Sequence, residues 1–260
     1  MPLRAAALTG SAGRGDADFY SDLDLLLYVD ELPPAETVAE IRAAVGGTRA
    51  TARDAEGFRG EEFELDGVRT EVSFVTVPRV ESRLDELLDG LGAVGDPAQK
   101  VLAGMLEALP LYGEALLERW RARLREYPDP LRRAMVERHW SFLPLWYYGD
   151  AIAARDAELW RLDALLEAAF NLLGVLAGLN RLYFARFELK RTRALVAKMP
   201  LAPRDLAERL ESLFRLDPPA AAEELGRLIE ETRALVAAEL PDVELSLPFP
   251  PGTRQRAWSS

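Results

Sequence analysis

Short apolar stretches separated by turn residues fill the first third of the chain, and they predict a small mixed sheet. Two continuous apolar runs suit strands that are covered on both faces. A later pair of strands flanks Asp66-Gly67, a dipeptide typical of two-residue hairpin turns. The predicted elements are strands at residues 3–8, 23–29, 61–65 and 68–77 and a helix at residues 35–45.

From residue 78 onward, apolar residues recur at three- and four-residue steps, which is typical of amphipathic helices. Asp-Pro pairs at positions 96 and 129 are signals for helix N-termini. The sequence therefore predicts an α+β protein. Its predicted parts are a small mixed-sheet domain at residues 1–90, an all-α helical-bundle domain at residues 96–240 and a Pro-rich tail at residues 241–260.

The loop between the first two predicted strands carries polar residues that indicate chemistry. Gly10-Ser11 ends the first strand in a turn whose backbone N–H groups and hydroxyl can face a phosphate group. Asp22 and Asp24 stand two positions apart at the start of the second strand, so their side chains point to the same face. Neighbouring carboxylates repel each other unless a cation lies between them, and such oxygen ligands suit Mg²⁺. The combination indicates nucleotide chemistry.

The Gly-Ser turn and the Asp-Leu-Asp triplet, with ten residues between them, resemble the signature of the DNA polymerase beta-like nucleotidyltransferase superfamily. The resemblance implies that Gly10, Ser11 and Ser21 bind a nucleoside triphosphate, with ATP or another nucleotide as the donor. It also implies that Asp22 and Asp24 bind two Mg²⁺ ions, and that a third carboxylate on a later strand completes the metal site.

Glu71 is the residue predicted to supply the third carboxylate. Val72 and Phe74 alternate with it, so Glu71 points to the opposite face of its strand. Taken alone, this pattern is typical of a solvent-facing residue on an edge strand. Given the earlier motif, Glu71 lies where the superfamily has its third carboxylate. Glu62 and Glu64 on the partner strand are the alternatives.

A small nucleotidyltransferase domain followed by helices looks like the antibiotic-modifying and MNT-type members of the superfamily. Residues 179–184 (LNRLYF) are similar to a segment of their helical domains. In such relatives a cation of the helical domain contacts the triphosphate. Lys190 follows this segment and is the predicted phosphate contact, with Arg186 as the second choice. Cations near helix ends are otherwise solvated or pair with helix carbonyls.

Composition narrows the range of partners. The formal net charge of −11 argues against binding to a nucleic-acid backbone and is compatible with a cationic small acceptor. The chain has no cysteine and one histidine, so neither a zinc site nor a nucleophile triad can be assembled. No apolar run reaches the length of a membrane span, and we expect a cytoplasmic location with no membrane partner. The oligomeric state stays open.

The residues and the resemblance together predict a Mg²⁺-dependent nucleotidyltransferase. It would move a nucleoside monophosphate, AMP from ATP, to a hydroxyl of a small molecule such as an aminoglycoside-like compound. Asp22, Asp24 and Glu71 are the predicted catalytic and metal-binding residues. The alternative is an MNT-type antitoxin or regulatory partner that nucleotidylates, or simply binds, another protein. A toxin gene next to this one would favour the alternative.

Overall fold

The computed structural model describes residues 2–91, 94–95 and 98–246. Its contacts divide the chain into two compact units, residues 1–93 with 98–127 and residues 94–97 with 128–260. The first unit contains a mixed sheet, and the second is built of helices over most of its described length. The predicted α+β class, a mixed sheet followed by a helical region, is confirmed.

The sheet of the first unit has six strands. In chain order they are β1 (Leu3–Thr9), β2 (Leu23–Val29), β3 (Thr48–Ala55), β4 (Phe58–Leu65), β5 (Val68–Thr76) and β6 (Leu109–Tyr112). Their spatial order is β3-β4-β5-β2-β1-β6. β2 and β5 run parallel at the centre, and every other neighbouring pair is antiparallel. This order brings the Asp-bearing strand β2 next to β5, the strand that carries Glu71.

Alternation along β2 gives its two faces different neighbours. Leu25 and Leu27 pack into an apolar cluster on one face, which also contains Phe74 of β5. Tyr28 points to the other face, where its ring centroid lies 5.0 Å from that of Trp120. Both faces of β2 are therefore covered, as its continuous apolar run predicts.

The predicted hairpin is confirmed by the pairing of β4 with β5 up to Leu65 and Val68. Its turn residues Asp66 and Gly67 have φ angles of 50° and 81°. Positive φ at both central residues is typical of a type I′ turn, whose twist matches that of the strands. The two edge strands, β3 and β6, were not predicted from the sequence. β3 has no large apolar side chain, and β6 contains Pro110, which is unfavourable inside a strand.

Among the described residues, five helices accompany the sheet: α1 (Gly10–Arg14), α2 (Ala35–Ala44), α3 (Val77–Leu88), α4 (Ala98–Glu107) and α5 (Glu114–Arg125). Arg121 of α5 is buried, and its Nε donates a hydrogen bond to the carbonyl of Met105 at 2.9 Å. The same guanidinium donates to the carbonyl of Ala108. Arg121 therefore satisfies carbonyl groups at the C-terminal end of α4 and ties α4 to α5.

The predicted domain boundary between residues 90 and 96 differs from the division of the contacts. The prediction groups α4, β6 and α5 with the helical part, whereas their contacts group them with the sheet. β6 pairs with β1 at the sheet edge, and α5 supplies the Trp120 ring that covers Tyr28. Helical periodicity shows that a segment is a helix, but it does not show which core the helix covers.

The second unit contains α6 (Asp129–His139), α7 (Glu158–Leu179), α8 (Thr192–Val196), α9 (Leu206–Ser212) and α10 (Pro218–Glu239). A π-helical turn at Tyr147–Ala151 and a 3-10 segment at Arg186–Arg191 lie between them. Val136, Val175 and Val236 bring α6, α7 and α10 into one apolar cluster. A Cβ atom at Gly178 would lie 2.6 Å from the Cβ of Met135, so the absence of a side chain there permits the close approach of α6 and α7.

The expectation that no apolar run reaches the length of a membrane span is wrong for one helix among the described residues, because Glu158–Leu179 is long and apolar enough to cross a membrane. Within its most apolar window, however, 72% is buried inside the protein. Such burial is typical of the core helix of a soluble domain, while the cytoplasmic location stays a prediction. The predicted helix signal at positions 96 and 97 and the part of the tail beyond Ser246 lie outside the described residues.

Candidate active site

Paired residues on adjacent strands bring three carboxylates to one face of the sheet. Asp24 of β2 pairs with Glu71 of β5, and Glu71 pairs with Glu62 of β4. On its other side Asp24 pairs with Thr9 at the end of β1. Side chains of directly paired residues lie on the same face. Asp24, Glu71 and Glu62 therefore form a line of neighbouring carboxylates, which we call the acidic row.

Asp22 lies beside the acidic row, just before β2 begins. It precedes Asp24 by two residues, so the two side chains share a face. Its Oδ2 atom is 3.9 Å from Nη1 of Arg69, which precedes Glu71 by two residues on β5. The structure thus brings Asp22, Asp24 and Glu71 to one face of the sheet. The alternative Glu62 lies there as well, and the catalytic roles of all four stay predictions.

Gly10 lies directly against the acidic row. It has a φ of +65°, and a Cβ atom built on it would lie 2.3 Å from Oδ2 of Asp24. A side chain at this position would both strain the backbone and collide with the carboxylate. The preceding residue, Thr9, donates a hydrogen bond from Oγ1 to the backbone carbonyl of Asp24 at 3.3 Å. The predicted phosphate-binding turn therefore touches the acidic row through Gly10.

The two predicted serine contacts differ in their surroundings. Ser11 is the second residue of α1, directly after Gly10. Ser21 closes the loop that leads into Asp22. Its Oγ donates to Oδ1 of Asp18 at 3.0 Å and accepts from the backbone N–H of Asp18 at 2.9 Å. In this conformation the Ser21 hydroxyl holds the loop together, and its contact with a nucleotide stays a prediction.

Burial and the charges around Asp24 raise the pKa of its carboxyl group. Burial is the largest cause that raises the pKa of Asp24 above the ordinary carboxyl value, and the negative charges of Asp22 and Glu71 raise it further. The positive charges of Lys100 and Arg69 act in the opposite direction. A carboxylate surrounded in this way is under electrostatic repulsion, which a bound cation would relieve.

Arg53 bridges two members of the acidic row. From β3, its Nη2 lies 2.6 Å from Oε2 of Glu62, and its Nη1 lies 3.4 Å from Oε2 of Glu71. Arg53 pairs with Gly60, which in turn pairs with Ser73. Gly60 has no side chain to separate Arg53 from β5. Ser73 donates a hydrogen bond to Oε1 of Glu71 at 2.8 Å, so both carboxylate oxygens of Glu71 have partners.

Arg69 holds Glu62 in a bidentate pair. Its Nε and Nη2 donate to the two oxygens of Glu62, each at 2.7 Å, and this hydrogen bonding lowers the pKa of Glu62. Glu64, the other alternative carboxylate, forms an ion pair with Arg49 at 2.8 Å. These groups border a cavity of about 260 Å³ beside the acidic row, lined by Arg49, Glu62, Phe63, Glu64, Gly67 and Arg69.

The chemistry of the donor atoms suits Mg²⁺, although among the described residues the side chains are not grouped around one metal position in this conformation. All donors of the acidic row and Asp22 are carboxylate oxygens, the ligands that Mg²⁺ prefers. Across the described residues, no three acidic or histidine side chains are grouped so that they could hold a metal ion. Two arginines pair with these carboxylates, because Arg53 contacts Glu71 and Arg69 contacts both Glu62 and Asp22.

Lys190 and Arg186, the predicted phosphate contacts of the helical part, belong to the second unit. Arg186 forms an ion pair with Glu167 at 2.9 Å, and its guanidinium lies 5.1 Å from the ring centroid of Phe170. The Nζ atom of Lys190 lies 5.3 Å from the ring centroid of Phe187. Each cation has a local aromatic partner. Their contact with a triphosphate stays a prediction.

Three cations that lie near the carboxylates were not predicted as site residues: Arg69, Arg53 and Lys100. Arg69 could have been found, because it lies two positions before Glu71 and therefore on the same face of the strand. Arg53 lies on the unpredicted strand β3, so its proximity follows only from strand pairing. Lys100 lies on α4, which the sequence analysis placed in the helical domain. Arg121 of α5 ties α4 into the first unit.

No protein-family model matches the chain, and no curated protein matches it. Among solved structures, the chain is similar to the crystal structure of a nucleotidyltransferase-like protein from Exiguobacterium sibiricum 255-15. The two chains are 12% identical, and the comparison covers 91% of this chain and 69% of the other with a TM-score of 0.41. A likeness at this level decides nothing about function.

Proposed function

We propose that the protein is a nucleotidyltransferase, which moves a nucleoside monophosphate from a triphosphate to an acceptor hydroxyl. The contact of Gly10 with the carboxylate of Asp24 supports this proposal most strongly, together with the pairing of Asp24 with Glu71. The turn after β1, which is suited to bind phosphate, therefore lies next to the carboxylates that β2 and β5 carry. A phosphate held at Gly10 would lie beside the groups that act on it.

The donor nucleotide, for which we propose ATP, would be bound by the turn at Gly10 and Ser11. Backbone N–H groups in such a turn bind phosphate oxygens without a side chain in between. Lys100 and Arg69 bring positive charge close enough to Asp24 to oppose the rise of its pKa. The same charges would offset part of the charge on the triphosphate and on the leaving pyrophosphate. Lys190 and Arg186 remain further proposed phosphate contacts.

We also propose that Mg²⁺ is required, with two ions held by Asp22 and Asp24 and by Glu71 once its carboxylate is released from Arg53. Bound there, Mg²⁺ would neutralise phosphate charge and lower the pKa of the acceptor hydroxyl. Asp22 and Glu71 repel the negative charge of Asp24 and raise its pKa. Binding of a divalent cation would remove that repulsion, which gives the acidic row a reason to attract one.

The acceptor that we propose is a small polar molecule with amino and hydroxyl groups, similar to an aminoglycoside. The formal net charge of −11 attracts cationic molecules. The cavity of about 260 Å³ shares Glu62 with the acidic row and is also lined by Glu64. Glu62 and Glu64 are paired with Arg69 and Arg49, which line the same cavity, so the ammonium groups of such an acceptor would take the place of these arginines at the carboxylates. An acceptor bound in this way would bring its hydroxyl to the acidic row.

The test is transfer of label from ATP labelled in its α-phosphate, with Mg²⁺ and a panel of aminoglycosides and candidate proteins. Asp24→Asn removes the central carboxylate. Asp30→Asn is the matched control, because Asp30 follows the other end of β2 and pairs with Arg4 at 2.7 Å. We expect transfer by the wild type and Asp30→Asn, and a loss of about 100-fold or more in Asp24→Asn.

The wild type should also bind the nucleotide. No nucleotide binding and no transfer by the wild type would contradict the proposal, as would equal transfer by Asp24→Asn and Asp30→Asn. Label that appears only on a protein of the panel would favour the MNT-type regulatory alternative over a small-molecule acceptor.

A further inference from the structure

Arg53 contacts a predicted metal ligand across an intervening strand. The Arg53 side chain extends from β3 across Gly60 of β4 to β5, where its Nη1 atom lies 3.4 Å from Oε2 of Glu71. Its other nitrogen lies 2.6 Å from Glu62. A Cβ atom at Gly60 would lie 2.7 Å from Oγ of Ser73, so a side chain at this position would have to displace the Ser73 hydroxyl that contacts Glu71.

An ordinary ion pair between neighbouring strands is the simpler explanation, and Arg49 shows what such a pair looks like. Arg49 and Arg53 both lie on β3, and Arg49 contacts Glu64 of the adjacent strand β4 at 2.8 Å. Arg53 forms the corresponding pair with Glu62, but it also extends to Glu71. The simpler explanation covers the first contact of Arg53 and leaves the second one unexplained.

We propose that Arg53 is an internal competitor for the divalent cations of the acidic row. Glu71 binds either the guanidinium of Arg53 or a metal ion, and the metal must displace Arg53 to gain this ligand. This inference rests on the proposed function, because it takes Glu71 as a metal ligand. It explains why the carboxylates of a site suited to Mg²⁺ do not form a metal-binding group in this conformation.

The surroundings of Glu71 favour an exchange of its partner. Ser73 holds Oε1 of Glu71 at 2.8 Å, so the side chain keeps its direction when Arg53 leaves Oε2. Arg53 retains its closer contact with Glu62 and needs only to release the longer one. Half of the Arg53 side chain is exposed to solvent, so no core packing opposes its movement.

The test is titration of the protein with Mn²⁺ alone, with free Mn²⁺ measured by electron paramagnetic resonance. Arg53→Gln removes the competing charge, and Arg49→Gln removes the same charge from the same strand. We expect Arg53→Gln to bind Mn²⁺ about three- to fivefold more tightly than the wild type, since exposed ion pairs have modest energies. Arg49→Gln should bind within about twofold of the wild type, since Arg49 pairs with Glu64, which is not part of the acidic row. Arg53→Lys, which keeps the charge without the forked guanidinium, should fall between Arg53→Gln and the wild type.

Asp24→Asn separates failure of this inference from failure of the proposed function. If Asp24→Asn weakens Mn²⁺ binding but Arg53→Gln binds no more tightly than Arg49→Gln, the competition is wrong and the metal site stands. If Asp24→Asn leaves binding unchanged, or if neither the wild type nor Arg53→Gln binds Mn²⁺, the metal site and the competition both fail. A thermal melt of each variant shows that differences in binding do not come from unfolding.

Discussion

Replacement of Gly10 by alanine tests the contact between the predicted phosphate turn and the acidic row. The new Cβ atom would lie 2.3 Å from Oδ2 of Asp24, which is 0.7 Å below the 3.0 Å that real Cβ contacts keep. The carboxylate or the turn must therefore shift by most of an ångström. Misplacement of about 1 Å in an active site can cost about 100-fold in rate, so we expect Gly10→Ala to lower transfer activity about 100-fold.

The matched control is Gly15→Ala, at the other end of α1. Gly10 and Gly15 have φ angles of +65° and +78°, so alanine is strained at both positions by about 1–2 kcal/mol. Among the residues that the structure describes, no atom lies within 4 Å of a Cβ atom built at Gly15. Gly10→Ala should lose more unfolding free energy in urea titrations than Gly15→Ala, because the collision with Asp24 adds to the strain that both variants share. Only Gly10→Ala should lose transfer activity and Mn²⁺ binding.

Equal activity of Gly10→Ala and Gly15→Ala would refute the reasoning, because it would show that backbone strain accounts for the whole effect. An active Gly10→Ala variant would also separate the turn from the carboxylates. In that case the contact with Asp24 would be a packing feature, and the proposed function would lose its main support.

Two further expectations concern stability. Asp24→Asn should raise the midpoint of thermal unfolding at pH 8, because a raised pKa of the Asp24 carboxyl means that its charged form weakens the folded state. The gain should vanish as the pH falls toward 3.8, the ordinary pKa of the carboxyl group. An unchanged or lowered midpoint at pH 8 would contradict this expectation. Gly178→Ala should lower the free energy of unfolding, measured in urea, by about 1–3 kcal/mol, because the new Cβ atom collides with Met135. Gly104→Ala should raise it by up to about 1 kcal/mol, because no described atom lies within 4 Å of its Cβ atom and alanine favours a helix. Equal effects of the two changes would contradict the close packing of α6 and α7.

The carboxylates could be placed from the sequence because alternation along a strand is a local property. Apolar Leu25 and Leu27 fix which way Asp24 points, and Val72 and Phe74 do the same for Glu71. The Asp66-Gly67 turn fixes the pairing of the hairpin. The parallel pairing of β2 with β5 could not be predicted in this way, because it joins residues that are far apart in the chain.

The cations could not be placed in the same way. Arg53 lies on a strand whose sequence, TRATARDA, lacks the alternation of large apolar residues that marks a strand. Its reach to Glu71 depends on Gly60, which belongs to a different strand. The position of Lys100 depends on how α4 packs against the first unit, and helical periodicity does not show the hydrogen bond from Arg121 of α5 that ties α4 there. Long-range pairing and side-chain reach decide these contacts.

The interleaving of core and site residues on β2 and β5 has a consequence for preparations of the protein. Phe74 and Val72 can enter the apolar cluster only when Glu71 points to the opposite face, and Leu25 constrains Asp24 in the same way. A molecule that slips by one residue in this pairing loses its core together with its carboxylates. A molecule with this register error would therefore not fold. If the proposed metal site is correct, the fraction of molecules that bind Mn²⁺ should equal the fraction that is folded.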